Sequence, residues 1–309
     1  MSVLHQPQVR TPDFLIIGAQ RSASSYLHHC LREHPQLFLP RNEIVYFEDP
    51  DYDQRDVAFL SRLFATAGPT QRCGFKRPEL LARPECPERI FQELPDARLV
   101  AVLREPISRT VSAYFHYMQA GVLPLAPLNI GIRRILRGEL DAEFPKAREI
   151  LDYSRYGEHL LRYYELFPPS SILVLVDEDL RQGAVATLER VYAFLGVQPG
   201  FVPSMLTERA NAGVYPLPRI RLLRGGSRFI YGYRHGSPYV SLRYNWKTRS
   251  AYRAVRWVDR TALAPLYGNP IPELDEDLRV QLTQLFAADL DRLESILDRP
   301  LDRWREAAS

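Results

Sequence analysis

Residues 14–17, 99–103 and 171–176 form near-continuous apolar runs, and each is followed by a stretch whose apolar positions recur at helical spacing. Strands that are apolar on both faces belong to parallel sheets covered by helices on each side. After the second run, Pro106 stands near the first position of a helix, and Val111, Tyr114, Phe115 and Met118 make its buried stripe. Near the chain's end, Leu278, Leu282, Leu285, Phe286, Leu293 and Ile296 predict a helix over about 273–297 that packs back on the domain. Pro40, Pro50, Pro78, Pro84 and Pro87 punctuate the long excursion between the first two runs, which reads as irregular. The order predicts an α/β, P-loop-like, three-layer α/β/α fold with a central mainly parallel sheet, followed by a basic helical C-terminal segment. No internal repeat or low-complexity tract divides the chain, so 1–309 reads as one domain.

Composition fits that picture. With 309 residues and 46% hydrophobic content, the chain can bury one large core. No stretch reaches the ~18 uninterrupted apolar residues of a membrane span. The start, Met-Ser-Val-Leu-His-Gln, lacks a charged region followed by an apolar one. Cys30, Cys73 and Cys86 are scattered without metal spacing, with Cys30 on an apolar helical stripe, and a reducing cytoplasm is the expectation.

Charge is uneven. The chain carries +3 overall, yet between Arg219 and Arg260 ten arginines and Lys247 face one acid, Asp259, giving +10 there and −7 for the remainder. Tyr231, Tyr233, Tyr239, Tyr244, Trp246, Tyr252 and Trp257 interleave with those cations. No nucleic-acid module accompanies them, so a nucleic-acid partner is not expected. A lid over an anionic ligand or acceptor is the favoured reading. Contact with an anionic membrane surface and a solvated helical hairpin with snorkelling arginines are the others.

Candidate chemistry concentrates at the ends of the first two runs. Gly18, Gln20, Arg21, Ser22 and Ala23 form a tight turn, and Ser24 and Ser25 stand where a helix begins. Backbone N–H groups and the positive helix end there make an anion cradle. An ordinary nucleotide loop has a lysine beside the helix cap and a hydroxyl on magnesium. Here the loop's cation is Arg21, placed before the serines, which suits an anion gripped by arginine and hydroxyls without a metal. Arg104 follows the second run, at a strand end where a magnesium carboxylate would otherwise stand, and Ser112 projects from the helix behind it. The plainer account of the loop is a strand-to-helix turn with a serine cap.

Gly18, Arg21, Ala23, Ser24 and Ser25 fall in order on Gly-x-x-Lys/Arg-x-Gly-Thr-Thr/Ser, the phosphosulfate motif of the sulfotransferases that use 3′-phosphoadenosine 5′-phosphosulfate (PAPS). Arg104 and Ser112 have the spacing of that family's 3′-phosphate motif. The segment 42–47, Asn-Glu-Ile-Val-Tyr-Phe, resembles the family's Lys-Glu-x-His-Phe/Tyr-Phe in its heparan-type and bacterial branches, and 74–78, Gly-Phe-Lys-Arg-Pro, resembles Gly-Glu-Lys-Ser/Thr-Pro. The stretch from Ser171 to Gly196 and the closing Leu-Asp-Arg-Trp at 301–304 look similar as well, so the resemblance covers most of the chain.

The resemblance implies in-line sulfuryl transfer from PAPS, without a metal, to a hydroxyl, or less favourably an amine, of a carbohydrate, glycolipid or small molecule. Glu43 would be the general base, Arg21 would stabilise the leaving phosphate, and Lys76 would place a flexible charge at the sulfuryl oxygens. Gly18, Gln20, Arg21, Ser22, Ala23, Ser24 and Ser25 would hold the 5′-phosphate, and Arg104 with Ser112 the 3′-phosphate. Ala23 replaces a glycine, which predicts φ below zero there. Asn42, Val45, Phe75 and Arg77 depart from the pattern where the acceptor would approach. Plainer accounts make Glu43 and Lys76 surface residues. An inert nucleotide-binding relative and a small-molecule kinase are the rival functions. The acidic cluster 48–53 lacks a calcium loop's spacing and reads as a solvated loop. His28 and His29, adjacent on a helix, do not form a metal pair. Tyr156, at a helix start, reads as lining an acceptor cleft or packing.

Overall fold

The structure, a computed structural model, describes residues 10–50, 52–55, 57–207, 213–233, 240–242 and 245–306. Arg234, Tyr239, Arg243 and Tyr244 of the basic segment and Asp51 of the acidic cluster lie outside these. The elements that matter run β1 (Phe14–Gly18), α1 (Ser24–Glu33), β2 (Leu37–Phe38), β3 (Arg72–Lys76), α2 (Cys86–Glu93), β4 (Arg98–Leu103), α3 (Pro106–Ala120), α4 (Leu128–Leu136) and α5 (Tyr156–Tyr164). Then come β5 (Ile172–Val176), α6 (Asp177–Gln182), α7 (Ala184–Leu195), α8 (Leu217–Ser227), β6 (Tyr231–Tyr233), β7 (Val240–Leu242), α9 (Trp246–Val258) and α10 (Glu276–Leu297). Contacts divide the chain into two compact units.

The first unit comprises residues 1–104, 156–210 and 292–299. Its sheet is parallel throughout, in the order β2-β3-β1-β4-β5. Successive side chains of a strand face opposite ways. Phe14, Ile16, Val100, Val102 and Leu175 accordingly share one core with Leu27 and Leu31 of α1 and Leu188, Val191 and Leu195 of α7. Leu15, Ile17, Leu99 and Ala101 point the other way and are equally sealed from solvent. That double burial is why the runs 14–17 and 99–103 are apolar throughout.

Two strands lie within the stretch expected to be irregular. β3, Arg-Cys-Gly-Phe-Lys, has no apolar run, and it pairs beside β1 because Gly74 admits the Phe14 ring: a Cβ on Gly74 would lie 2.5 Å from Phe14 Cζ. β2 is only two residues long. The cysteines are free and buried.

The second unit comprises 105–155, 211–291 and 300–309. Its core joins the predicted stripe of α3, Val111, Tyr114, Phe115 and Met118, to Ile132 of α4, Ile220 of α8, and Leu278, Leu282 and Phe286 of α10. Glu105 caps α3 by accepting from the N–H groups of Ile107 and Ser108, at 2.7 and 2.6 Å. Arg109 is fully buried, its guanidinium donating to Ile150 O at 2.8 Å. The expected C-terminal helix begins at Glu276 rather than about 273. β6 and β7 form an antiparallel pair.

Candidate functional site

Because every strand of the first unit's sheet runs the same way, the ends of β3, β1, β4 and β5 share one edge, with chain order reversing across β1. Open parallel sheets bind ligands at such a place. Lys76, the loop after Gly18, Arg104 and Asp177 all stand on that edge.

The loop is pinned where it leaves β1. Ala19 N–H donates to Val102 O at 2.7 Å, and a Cβ on Gly18 would lie 2.6 Å from Leu81 Cβ, so glycine alone fits. Arg21 and Ala23 adopt left-handed backbone, with φ of 68° and 63°, and Ser22 lies between them. Left-handed residues in a tight turn aim successive N–H groups into one concavity, the arrangement that receives anions. The expectation of negative φ at Ala23 is therefore corrected. Ala23 is also the residue that caps α1, without a side-chain bond, in place of the serine cap considered above. An L-residue there costs about 1 kcal/mol relative to glycine. Ala23→Gly is accordingly expected to raise the unfolding free energy by about 1 kcal/mol in urea denaturation; an unchanged or lowered midpoint would refute the assignment of strain.

Ser22 is fully buried, and its Oγ has no hydrogen-bond partner in the protein among the described residues. A buried hydroxyl without a partner is a cost that a bound acceptor such as a phosphate oxygen removes. Ser24 donates to Ala19 O at 3.3 Å. Ser25, exposed at the start of α1, accepts from Lys76 Nζ at 2.7 Å.

Lys76 is the hinge of the site. It is 4% exposed, not a surface lysine, since β3 carries it into the interior. Its ammonium also lies 2.7 Å from Glu43 Oε1, and Glu43's other oxygen meets Arg77 Nη1 at 3.2 Å. Glu43 begins a segment anchored by buried Ile44, Tyr46 and Phe47, with Ile44 N–H donating to Lys76 O at 3.3 Å. The carboxylate itself keeps 38% of its side chain exposed, open to an incoming group while two cations orient it.

Arg77 extends the network. Its Nε donates to Glu48 Oε2 at 2.8 Å, its Nη1 lies 3.2 Å from Glu79 Oε2, and Gln20 of the loop donates to Glu79 Oε1 at 3.2 Å. Burial disfavours the Arg77 cation, but Glu79, Glu48 and Glu43 outweigh it and hold the guanidinium charged. Burial pushes the Glu48 carboxyl up, against the pull of Arg77. Of the acidic cluster, Glu48 departs from the expected solvated loop, being buried on Arg77, whereas Asp49 and Asp53 are exposed, with Asp49 reaching Arg89 at 2.8 Å. No sequence spacing announces the partnership of residues 43, 48, 77 and 79; folding β3 against β1 creates it.

Arg104 is half-buried at the end of β4, its Nε 3.8 Å from Asp177 Oδ2. That separation exceeds hydrogen-bond length. Arg181 takes the same carboxylate in a two-pronged contact, so Asp177 orients Arg104 without saturating it. Ser112 is buried on α3, in the second unit. Tyr156 is fully buried at the start of α5, which fits packing.

In the basic segment, Asp259 is taken by Arg219. Both guanidinium arms meet it at 2.9 Å in a buried pair, and Arg219 Nη1 also donates to Gly268 O at 2.7 Å. Arg224 donates to Leu123 O. These two arginines serve the fold.

Comparison with known proteins follows the same lines. The family model described as "Sulfotransferase domain" matches residues 11–209, well over half of the chain. Human heparan sulfate glucosamine 3-O-sulfotransferase 6 is 29% identical over 223 residues, 71% of this chain and 61% of that protein. Human bifunctional heparan sulfate N-deacetylase/N-sulfotransferase 2 is 26% identical over 202 residues, 62% of this chain and 22% of that protein. The chain thus spans less than two thirds of the length of either relative. The crystal structure of a sulfotransferase from Alicyclobacillus acidocaldarius superposes with a TM-score of 0.66 at 20% identity, covering 96% of this chain and 99% of that one, a likeness of fold.

Proposed function

Since this chain belongs to the PAPS-dependent sulfotransferase family, we propose that it transfers a sulfuryl group from PAPS to a hydroxyl of a carbohydrate or glycolipid, with Glu43 as the general base. The observation that carries this reading is the chain of contacts from Ser25 through Lys76 to Glu43, each 2.7 Å, which ties the anion loop to one accessible carboxylate. A carbohydrate acceptor is favoured because the two human relatives are named for heparan sulfate.

The residues present fit a phosphate-bearing donor: a left-handed loop, a half-buried arginine within it, and a fully buried hydroxyl without a partner among the described residues. Bound there, the donor supplies an activated sulfuryl group on a phosphate leaving group. The N–H groups of the loop, Ser22 Oγ and Arg21 would hold its 5′ phosphate side, and Arg104 its 3′-phosphate. Lys76, fixed between Ser25 and Glu43, brings a positive charge beside the carboxylate without solvent reorganisation. Glu43, held on two sides, would take the proton from the acceptor oxygen. Arg77 touches none of the reacting groups in this account and acts as a positioning residue for Glu43.

Calorimetry with 3′,5′-bisphosphoadenosine in the presence of a chelator tests the donor site, and transfer of labelled sulfate to sugar acceptors tests the reaction. Metal-independent binding with transfer is expected; binding that requires magnesium and ATP would favour the kinase instead. Arg104→Ala should weaken the bisphosphate about 10- to 100-fold, the worth of one charge-assisted contact. It should leave the melting temperature nearly unchanged, because Asp177 retains Arg181. Unaltered affinity would remove Arg104 from the site.

A further inference from the structure

We propose that the outward face of α9 is a docking surface for an anionic lipid bilayer. α9 begins sharply: Asn245 Oδ1 accepts from Thr248 N–H at 2.9 Å and Thr248 Oγ1 accepts from Asn245 N–H at 3.2 Å. Its inward side is fixed by Val255, which packs over Gly226, where a Cβ would lie 2.8 Å from Val255 Cγ1. Just past its end, Asp259 is locked to Arg219. The face opposite is therefore set by the fold and looks to solvent.

Trp246 and Trp257 lie on that face. Eleven residues apart on a helix of about 100° per residue, they differ by about 20° in direction and by about 16 Å along the axis. They are 74% and 64% exposed, a large apolar area for a monomer to leave in water. Arg253 lies between them on the same face, with Arg256 and Lys247 flanking and Arg260 following, all exposed. A shallow depression of about 570 Å³ is lined by Arg253, Ala254, Arg256, Trp257 and Arg260, room for a phosphate headgroup. Between Asn245 and Pro272 the sole acid is Asp259, already neutralised by Arg219.

Tryptophan settles at the boundary between headgroups and acyl chains, where its ring is buried and its N–H stays wet. Each arginine held near an anionic surface adds attraction that salt screens. A bilayer buries the two exposed indoles at its headgroup boundary while its anionic headgroups meet the arginines, a pairing of apolar and cationic groups that this one helix face presents together. The contact is peripheral in kind, since no helix among the described residues is long and apolar enough to cross a membrane. This surface suits an enzyme that meets its acceptor on a lipid, yet it stands without the transfer reaction.

The test is cosedimentation of the full chain with phosphatidylcholine vesicles, with and without phosphatidylserine, alongside tryptophan emission. Binding only to the phosphatidylserine vesicles, a blue shift on binding, and release by high salt are expected. W246A/W257A and R253E/R256E should each lower vesicle affinity at least about tenfold. Unchanged melting temperatures would show both variants folded, as their exposed positions predict. Failure of the parent protein to bind phosphatidylserine vesicles would overturn the proposal. So would equal binding to neutral ones, undiminished binding by both folded variants, or retention on heparin alone. None of these outcomes bears on donor binding, which calorimetry reads separately.

Discussion

Glu43→Gln is expected to lower turnover 10²- to 10⁴-fold, the usual worth of a positioned general base, while leaving affinity for 3′,5′-bisphosphoadenosine within a few-fold of the parent. The substitution keeps the shape of the side chain and an oxygen able to accept from Lys76 Nζ, now 2.7 Å away. What it removes is the capacity to take a proton. The loss of an ion pair on a side chain 38% exposed should cost the fold about 1 kcal/mol or less. A purely structural Glu43 would give the opposite pattern, a lowered melting temperature with turnover within tenfold, and that result would overturn the base assignment. Arg77→Met should also lower kcat, through misplacement of Glu43, with its affinity for 3′,5′-bisphosphoadenosine kept.

Much of this site is written in local sequence, and the rest depends on what folding brings together. β1 and β4 are legible because both faces of each are buried, which leaves unbroken apolar runs at 14–17 and 99–103. The loop after Gly18 is legible because an anion cradle needs a strand end, a small turn and hydroxyls at a helix start. β3 is not, since two of its five residues are charged and its place beside β1 depends on the Phe14 ring lying over Gly74. The burial of Lys76 follows from that strand, so a lysine before an arginine and a proline looks superficial until β3 exists. Ala23 misleads for another reason: alanine avoids left-handed backbone, and closure of the turn overrides that preference. Glu48 and Arg77, 29 residues apart, pair through two loops, and no periodicity encodes such a partnership.

Acid is expected to destabilise this protein well above the usual carboxylate range, through His28. The ring is buried in α1, one turn beyond the anion loop, and its Nε2 lies 2.9 Å from Pro40 O. A carbonyl can only accept, so that nitrogen carries a proton and the neutral ring already makes the bond. Burial and then the charge of Lys76 push the imidazole down to about 3 from 6.5. A folded value below the unfolded one means that the unfolded chain alone takes up a proton between the two. The stability His28 permits is therefore complete above 6.5 and is lost as pH falls towards 3, at about 1.4 kcal/mol per unit. By pH 5 the loss reaches about 2 kcal/mol. His28→Gln keeps a donor for Pro40 O and cannot titrate, so urea unfolding at pH 7 and pH 5 should show it free of that component. Carboxylates such as Asp179, held low by Arg299, titrate alike in both proteins and cancel. An equal fall in both would clear His28. With a folded value near 3 the ring stays neutral in the folded chain at pH 5, so nucleotide binding there should match between the parent and His28→Gln, and the difference between them should lie in unfolding free energy alone.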